Sequence, residues 1–173
     1  MNDKELQMKL ELLQDGDRIA FCDIYNELKT PVFTIILRIV RNQSDAEDIL
    51  QDVFIKLFQS PPKPPIRKPR AYIFQIARNL AIDGIRKQSQ HVNLQDFEEI
   101  LYRDPVDSAM KLDLEQAIQA LSLIERQIIT LHINGSLKFR EIAAIVEIPL
   151  GTVLWRYRQA IDKLRSHLNG GAI

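Results

Sequence analysis

Phe139-Arg140-Glu141-Ile142-Ala143-Ala144-Ile145-Val146, then Glu147-Ile148-Pro149-Leu150, then Gly151-Thr152-Val153, is the stretch whose reading decides the fold. The first eight residues read as a short helix with small residues at its centre, the next four as a tight connection. The last three open a long helix that runs through Leu168. Two helices joined in this way form a helix-turn-helix. Ala143 lets them approach closely, and Ile142, Val146, Val153 and Leu164 are expected to form their shared core. In that motif the second helix enters the major groove with its early residues at base edges. Thr152, Trp155, Arg156 and Gln159 face outward there, with Arg158 as a second basic group beside them. An ordinary helical hairpin has the same spacing, so periodicity alone leaves the DNA reading open.

Helical periodicity also governs the chain before this motif, and no run alternates as a strand does. Asp17 caps a first predicted helix whose Ile19, Ile24, Tyr25 and Leu28 make an apolar stripe. Thr30-Pro31 reads as the cap and first residue of a second helix, buried from Val32 to Val40. Ser44-Asp45-Ala46-Glu47 has the capping-box pattern and opens a third, with Ile49, Leu50, Val53, Phe54, Leu57 and Phe58 turned inward. The prolines at 61, 62, 64, 65 and 69 stop it. A further helix, Arg70 to about Gln88, places Ile73, Ile76, Ala77, Leu80 and Ala81 on one side. Residues 91–107 are polar, acidic and weakly periodic, and read as a linker. The expected fold class is therefore all-α: two small helical domains joined by a flexible linker, the second a helix-turn-helix. The expected boundaries are a segment over 1–16, domains over 17–90 and 108–168, and a tail over 169–173.

The formal net charge of the 173 residues is +0, but its distribution is uneven. Residues 1–60 carry −4, 61–90 carry +6, 91–115 carry −5 and 116–173 carry +3. Two basic blocks around an acidic one suggest two places that meet phosphate and a spacer that does not. The first basic block combines a proline-stiffened loop, with Lys63, Arg67, Lys68 and Arg70, and a helix exposing Arg78, Asn79, Asp83, Arg86 and Lys87. Tyr72 and Phe74 lie among them. Cations with aromatic faces suit a separated DNA strand, where backbone charge is neutralised and unstacked bases gain a platform. Burial of both aromatics in the core reads equally well from the spacing.

Catalysis finds little support. His91, His132 and His167 stand apart and share no ligand spacing with another His or Cys, so neither metal nor other cofactor is expected. No phosphate-cradling glycine loop or nucleophile turn occurs. Asp45, Asp48 and Asp52 line one helical face, where carboxylates are usually solvated or paired. Cys22 is the single cysteine, which excludes an internal disulfide, and its position in a helical pattern reads as buried core. With no apolar run of about 20 residues and no signal-peptide core at the N-terminus, the expected location is the cytoplasm.

Three stretches together resemble the extracytoplasmic-function (ECF, group 4) sigma factors of the bacterial sigma-70 family. Asp45-Ala46-Glu47-Asp48-Ile49-Leu50-Gln51-Asp52-Val53-Phe54-Ile55-Lys56-Leu57-Phe58 resembles that family's polymerase-binding helix. Ile76-Ala77-Arg78-Asn79-Leu80-Ala81-Ile82-Asp83, with Arg86, resembles its promoter-melting and minus-ten helix. Glu141-Ile142-Ala143 and Pro149-Leu150-Gly151-Thr152-Val153, with Arg156 and Ala160, resemble its minus-thirty-five helix-turn-helix. The resemblance runs from about Asp17 to Leu168 in the family's order and spacing.

It implies a subunit without catalytic activity that directs core RNA polymerase to promoters and initiates transcription. Asp45, Asp48, Gln51, Asp52 and Lys56 would meet the polymerase. Lys63, Arg67, Lys68, Arg70, Tyr72, Arg78, Asn79, Asp83, Arg86 and Lys87 would serve minus-ten DNA, and Thr152, Trp155, Arg156, Arg158 and Gln159 the minus-thirty-five element. It further implies a monomer when free and an anti-sigma partner. The sequence departs from the family at Tyr72, where tryptophan is common, and at Leu154 and Trp155, where a basic and a small hydroxyl residue are common. Ser122-Leu123-Ile124-Glu125 also lacks the family's proline. The competing reading is a helix-turn-helix regulator acting without core polymerase. It gives no reason for the 45–58 and 76–83 stretches; an adaptor that mimics these surfaces is a third.

Overall fold

The first helix begins where the chain looks merely charged. In the computed structural model, which describes residues 1–91 and 109–170, with side chains over 1–87 and 113–168, Asn2 accepts a hydrogen bond from the Glu5 amide at 3.0 Å. Glu5 returns one to the Asn2 amide at 2.9 Å. This capping box opens α1 (Asp3–Gln14). Leu6, Leu10 and Leu13, spaced by four and three, are buried, so residues ahead of Asp17 belong to the core. Asp17 caps α2 (Arg18–Val40) as expected, accepting from the amides of Ile19 and Ala20. The structure departs from the expected break at Thr30-Pro31: α2 runs through Pro31 without interruption. A proline inside a helix forfeits one backbone bond. Leu28, Val32, Ile35 and Ile36, fully buried on both sides of it, hold the helix together.

Asn42, and not Ser44, caps α3 (Gln43–Gln59), by accepting from the Asp45 amide at 3.0 Å. The proline loop follows, and α4 (Pro69–His91) packs back on α1, α2 and α3. The stripe predicted for α2 is only half correct: Ile24 and Leu28 are buried, whereas Ile19 is 74% exposed. Phe58 of α3, expected inward, is 44% exposed. Cys22 is exposed too, not core, because it falls between the buried positions Ala20 and Ile24.

The second set of helices is α5 (Ala109–Gln119), α6 (Leu123–Ile133), α7 (Phe139–Val146) and α8 (Leu150–Gly170). No strand occurs among the described residues, and the chain is all-α. Most of the linker and the tail expected from the sequence lie outside the described residues. Ser122 caps α6, and its partner in the capping box is Glu125. Burial works to raise the Glu125 carboxyl, but hydrogen bonds from Lys163 and Ser122 outweigh it and hold the group below its ordinary value. Lys163 lies 2.7 Å away and so ties α8 to the start of α6. Gly135 closes the α6–α7 turn, where a Cβ would stand 2.5 Å from the Leu131 carbonyl oxygen. α7 and α8 form the helix-turn-helix. Ile142, Val146 and Val153 share its core, whereas Leu164, expected there, packs with Ala117, Ile118, Leu121, Ile129 and Ala160.

The two sets of helices meet. α2 packs on α6 and α4 on α7, and one apolar cluster runs from α1–α4 into Ile128, Leu131, Ile142, Ile145 and Val146.

Candidate functional site

Three surfaces carry the residues singled out in the sequence. The first lies between α2 and α3. Asp48, Gln51, Asp52 and Lys56 stand exposed on α3, and Asp45 is half-buried in its first turn. Beside them the structure opens a groove of about 450 Å³ lined by Phe21, Tyr25, Gln51, Phe54, Ile55, Phe58 and Gln59. Phe54 forms its floor, with Tyr25 edge-on at 4.8 Å between ring centroids. Phe21 and Phe58 meet edge-on at 5.1 Å. Ile55 is 50% exposed. Sequence reasoning found the polar residues here and missed the apolar ones. The missed signal is width: apolar residues at 49, 50, 53, 54, 55, 57 and 58 cover more than one stripe of a helix, so some must face outward. An apolar channel with carboxylates along one rim suits an amphipathic helix with basic flanks.

The second surface is built by the proline loop and the start of α4. Ile66, buried, anchors the loop from below, and the Gln14 side-chain amide of α1 donates to the Pro62 carbonyl. Pro62, Lys63, Pro65, Ile66, Arg67, Lys68 and Tyr72 line a cleft of about 460 Å³. Tyr72 is half-buried and faces it, while Phe74 is wholly buried. The two aromatics that the sequence left undecided thus have different fates. Lys63, Arg67 and Lys68 are exposed around the cleft. Arg70 is not brought to it: its guanidinium donates to the Met1 carbonyl at 2.8 Å and sits 3.8 Å from Asp3, fastening α4 to α1.

Further along α4, Asn79, Asp83, Arg86 and Lys87 are exposed, and Asp83 and Arg86 sit 3.7 Å apart. Arg78 is half-buried, and its Nε donates to Gln127 of α6 at 2.9 Å. Burial lowers the affinity of its guanidinium for the proton, with Glu147 acting in the opposite sense and Arg86 reinforcing it.

The third surface is the outer face of α8. Trp155 is 55% exposed and Arg158 exposed, with Thr152, Arg156 and Gln159 half-buried between them. The Arg156 guanidinium lies 5.5 Å from the Trp155 ring centroid, a cation–π arrangement. On the opposite side Tyr157 packs edge-on against His132 and Phe139, at 5.2 and 4.9 Å. These rings fix the rotation of α8 about its axis and so decide which residues face out. Among the described residues no helix is long and apolar enough to cross a membrane.

Comparisons with known proteins find matches to both sets of helices. Residues 24–91 match the Sigma-70 region 2 family and residues 111–164 match Sigma-70, region 4. The ECF RNA polymerase sigma factor SigW of Bacillus subtilis is 30% identical over 94% of this chain and 96% of its own. The ECF RNA polymerase sigma factor RpoE of Cereibacter sphaeroides is 31% identical over 88% of each. Among solved structures, CnrH in complex with the cytosolic domain of CnrY superposes with a TM-score of 0.70 at 20% identity, covering 96% of this chain and 98% of that one. Sigma factor RpoE in complex with the anti-sigma factor NepR from Bartonella quintana gives 0.69 at 23%, covering 85% and 97%.

Proposed function

The chain belongs to the ECF RNA polymerase sigma factors, and from that premise we propose how its three surfaces divide the work of starting transcription. The α2–α3 groove receives a helix of core polymerase: Phe21, Phe54, Ile55 and Phe58 bury its apolar side. Asp48 and Asp52 face its basic flank, with Gln51 and Lys56 beside them and Asp45 at the end of the same helix. Charge pairs at such a rim govern orientation and association rate more than affinity, so the aromatic channel supplies the hold. The cleft at Tyr72 takes an unstacked base of the separated minus-ten strand, while Lys63, Arg67 and Lys68 neutralise its phosphates. Asn79, Asp83, Arg86 and Lys87 continue that path along α4. The outer face of α8 enters the major groove of the minus-thirty-five element, with Arg156 and Trp155 nearest the bases and Thr152, Arg158 and Gln159 around them. The chain performs no catalytic step itself and acts in the cytoplasm, under the control of an anti-sigma protein.

The observation that carries this reading is the joint presence, in α1–α4, of an acid-rimmed apolar groove and a basic cleft holding a half-exposed tyrosine. A repressor that reads duplex DNA alone has use for neither. Reconstituted transcription tests it: purified protein with sigma-free core polymerase on fragmented genomic DNA, transcript starts mapped. Starts that require the protein and share an upstream sequence are expected. Absence of both starts and core binding would return the chain to a regulator acting without polymerase. Asp52→Lys is expected to slow association with core polymerase and weaken the complex with the helical content unchanged, since Asp52 is exposed. An unaltered association rate would remove Asp52 from the interface.

A further inference from the structure

The loop between α3 and α4 cannot hold its own shape. Pro61, Pro62, Pro64 and Pro65 have no backbone N–H to donate, and residues 61–67 make no backbone–backbone hydrogen bond. Two anchors fix the loop instead. Ile66 is 6% exposed and enters the apolar core. Gln14, the last residue of α1, donates through its side-chain amide to the Pro62 carbonyl. Among the described residues, that is the one hydrogen bond that residues 61–67 make. Pro62 itself lines the cleft with Tyr72, so the bond acts directly on a wall of the site.

The opposite end of α1 holds the other wall. Arg70, at the start of α4, donates to the Met1 carbonyl at 2.8 Å and lies 3.8 Å from Asp3. Its side chain is 14% exposed, whereas Lys63, Arg67 and Lys68 stand in solvent. With its 12 residues, α1 is about 18 Å long, and its two ends reach the two ends of the loop. The helix is itself well seated. Leu6, Leu10 and Leu13 are buried, and Lys9 pairs with Asp23 of α2 at 2.5 Å. α1 also lies ahead of the residues that match Sigma-70 region 2.

We propose that α1 is a strut for base capture: Gln14 and Arg70 are positioning residues that set the separation of the cleft walls, and neither touches DNA. The inference rests on the function proposed above for the cleft at Tyr72. It gives Arg70 a different task from its basic neighbours, because its guanidinium is committed to α1 and not to phosphate. A cleft with fixed walls admits an unstacked base of fitting shape and rejects the others. A cleft with a loose wall must order its loop on binding, which weakens the hold on every base and makes the bases more alike.

The test uses holoenzyme and forked fragments of a promoter mapped as above, with each of the four bases placed in turn at every unpaired minus-ten position. Gln14→Glu keeps the shape of the side chain but, ionised, cannot donate. Affinity for the best base is expected to fall about fivefold, and the spread between best and worst base to narrow by a similar factor. Core binding and upstream duplex binding should not change. A bond with only a structural role would lower the unfolding temperature and leave base preference intact; that result overturns the strut, as does unchanged strand binding. Arg70→Ala separates positioning from phosphate contact. Each phosphate contact on a single strand adds about 0.7 to the salt slope of binding. Arg70→Ala is expected to weaken strand binding with the slope of the wild type, whereas Lys68→Ala flattens it. Equal flattening in the two variants would assign Arg70 to phosphate and overturn the strut. Tyr72→Ala is the reference. If it leaves strand binding unchanged, the function proposed for the cleft fails and the strut with it. Loss in Tyr72→Ala without loss in Gln14→Glu overturns the strut alone.

Discussion

α4 meets solvent through a concave cleft whose second wall is the proline loop, whereas α8 meets it along the ridge that carries Trp155 and Arg158. In the cleft Tyr72 lies half-buried among Lys63, Arg67 and Lys68; on the ridge Trp155 and Arg158 stand in water. A concave basic site with an aromatic wall fits a base that has left its stack. A ridge fits a groove that is already open. The two helices also depend on the rest of the molecule in different ways. α4 is gripped by α1, α2 and α3, while the ridge takes its orientation from the rings of His132, Phe139 and Tyr157 and from the turn at Gly135.

The sharpest way to break this comparison is Gly135→Ala. The added Cβ would collide with the Leu131 carbonyl, so the turn that orients α7 and α8 must shift, at about 3 kcal/mol. Thermal unfolding should show the loss, and upstream duplex binding by the holoenzyme should fall. Strand binding at the cleft should persist on a promoter fork that is already open. Equal loss at both places would mean that cleft and ridge are not independent. Next in size is Tyr72→Ala, expected to cost about 2 kcal/mol in binding of an unpaired minus-ten strand and nothing at the upstream element. Tyr72→Trp should preserve that binding, since the requirement is a stacking face.

Arg156→Ala is expected to cost about 1 kcal/mol, confined to particular base pairs of the upstream element. A loss spread evenly over all sequences would assign Arg156 to phosphate and leave Trp155 as the reader. The smallest effect concerns pH. The Glu125 carboxyl is held below its ordinary value of 4.5, so it contributes stability that is present above that value and is lost as pH falls through the lowered one. The stability difference between wild type and Glu125→Gln should therefore shrink on acidification below about pH 4.5. It amounts to at most about 1 kcal/mol, because Lys163 is 54% exposed and screened. A difference independent of pH would show that the Glu125–Lys163 pair does not fasten α8.

The helix-turn-helix was legible from residues alone because its punctuation is local: Pro149 stands at the opening of α8, where its carbonyl accepts from the Val153 amide, and the apolar positions on either side resume a single pattern. α1 was missed because its charged opening drew attention from Leu6, Leu10 and Leu13, although Asn2 and Glu5 spell a capping box. The break expected at Pro31 did not occur because a local cost was overruled by burial of side chains on both flanks, which only the packed molecule reveals. At the candidate sites, polar residues were readable and their apolar neighbours were not. Phe58 looks like core until the width of the α3 pattern is set against the surface available to cover it. Gln14 and Pro62 lie 48 positions apart, and nothing local marks Gln14 as more than a solvated side chain.

Cys22 offers a practical opening. It is the single thiol in the chain, it is exposed, and it sits next to Phe21 and one helical turn from Tyr25, at the edge of the α2–α3 groove. A solvent-sensitive fluorophore attached there would need no engineered residue. Its emission would change as the groove is covered, so the arrival of a partner could be followed in real time from the dye alone.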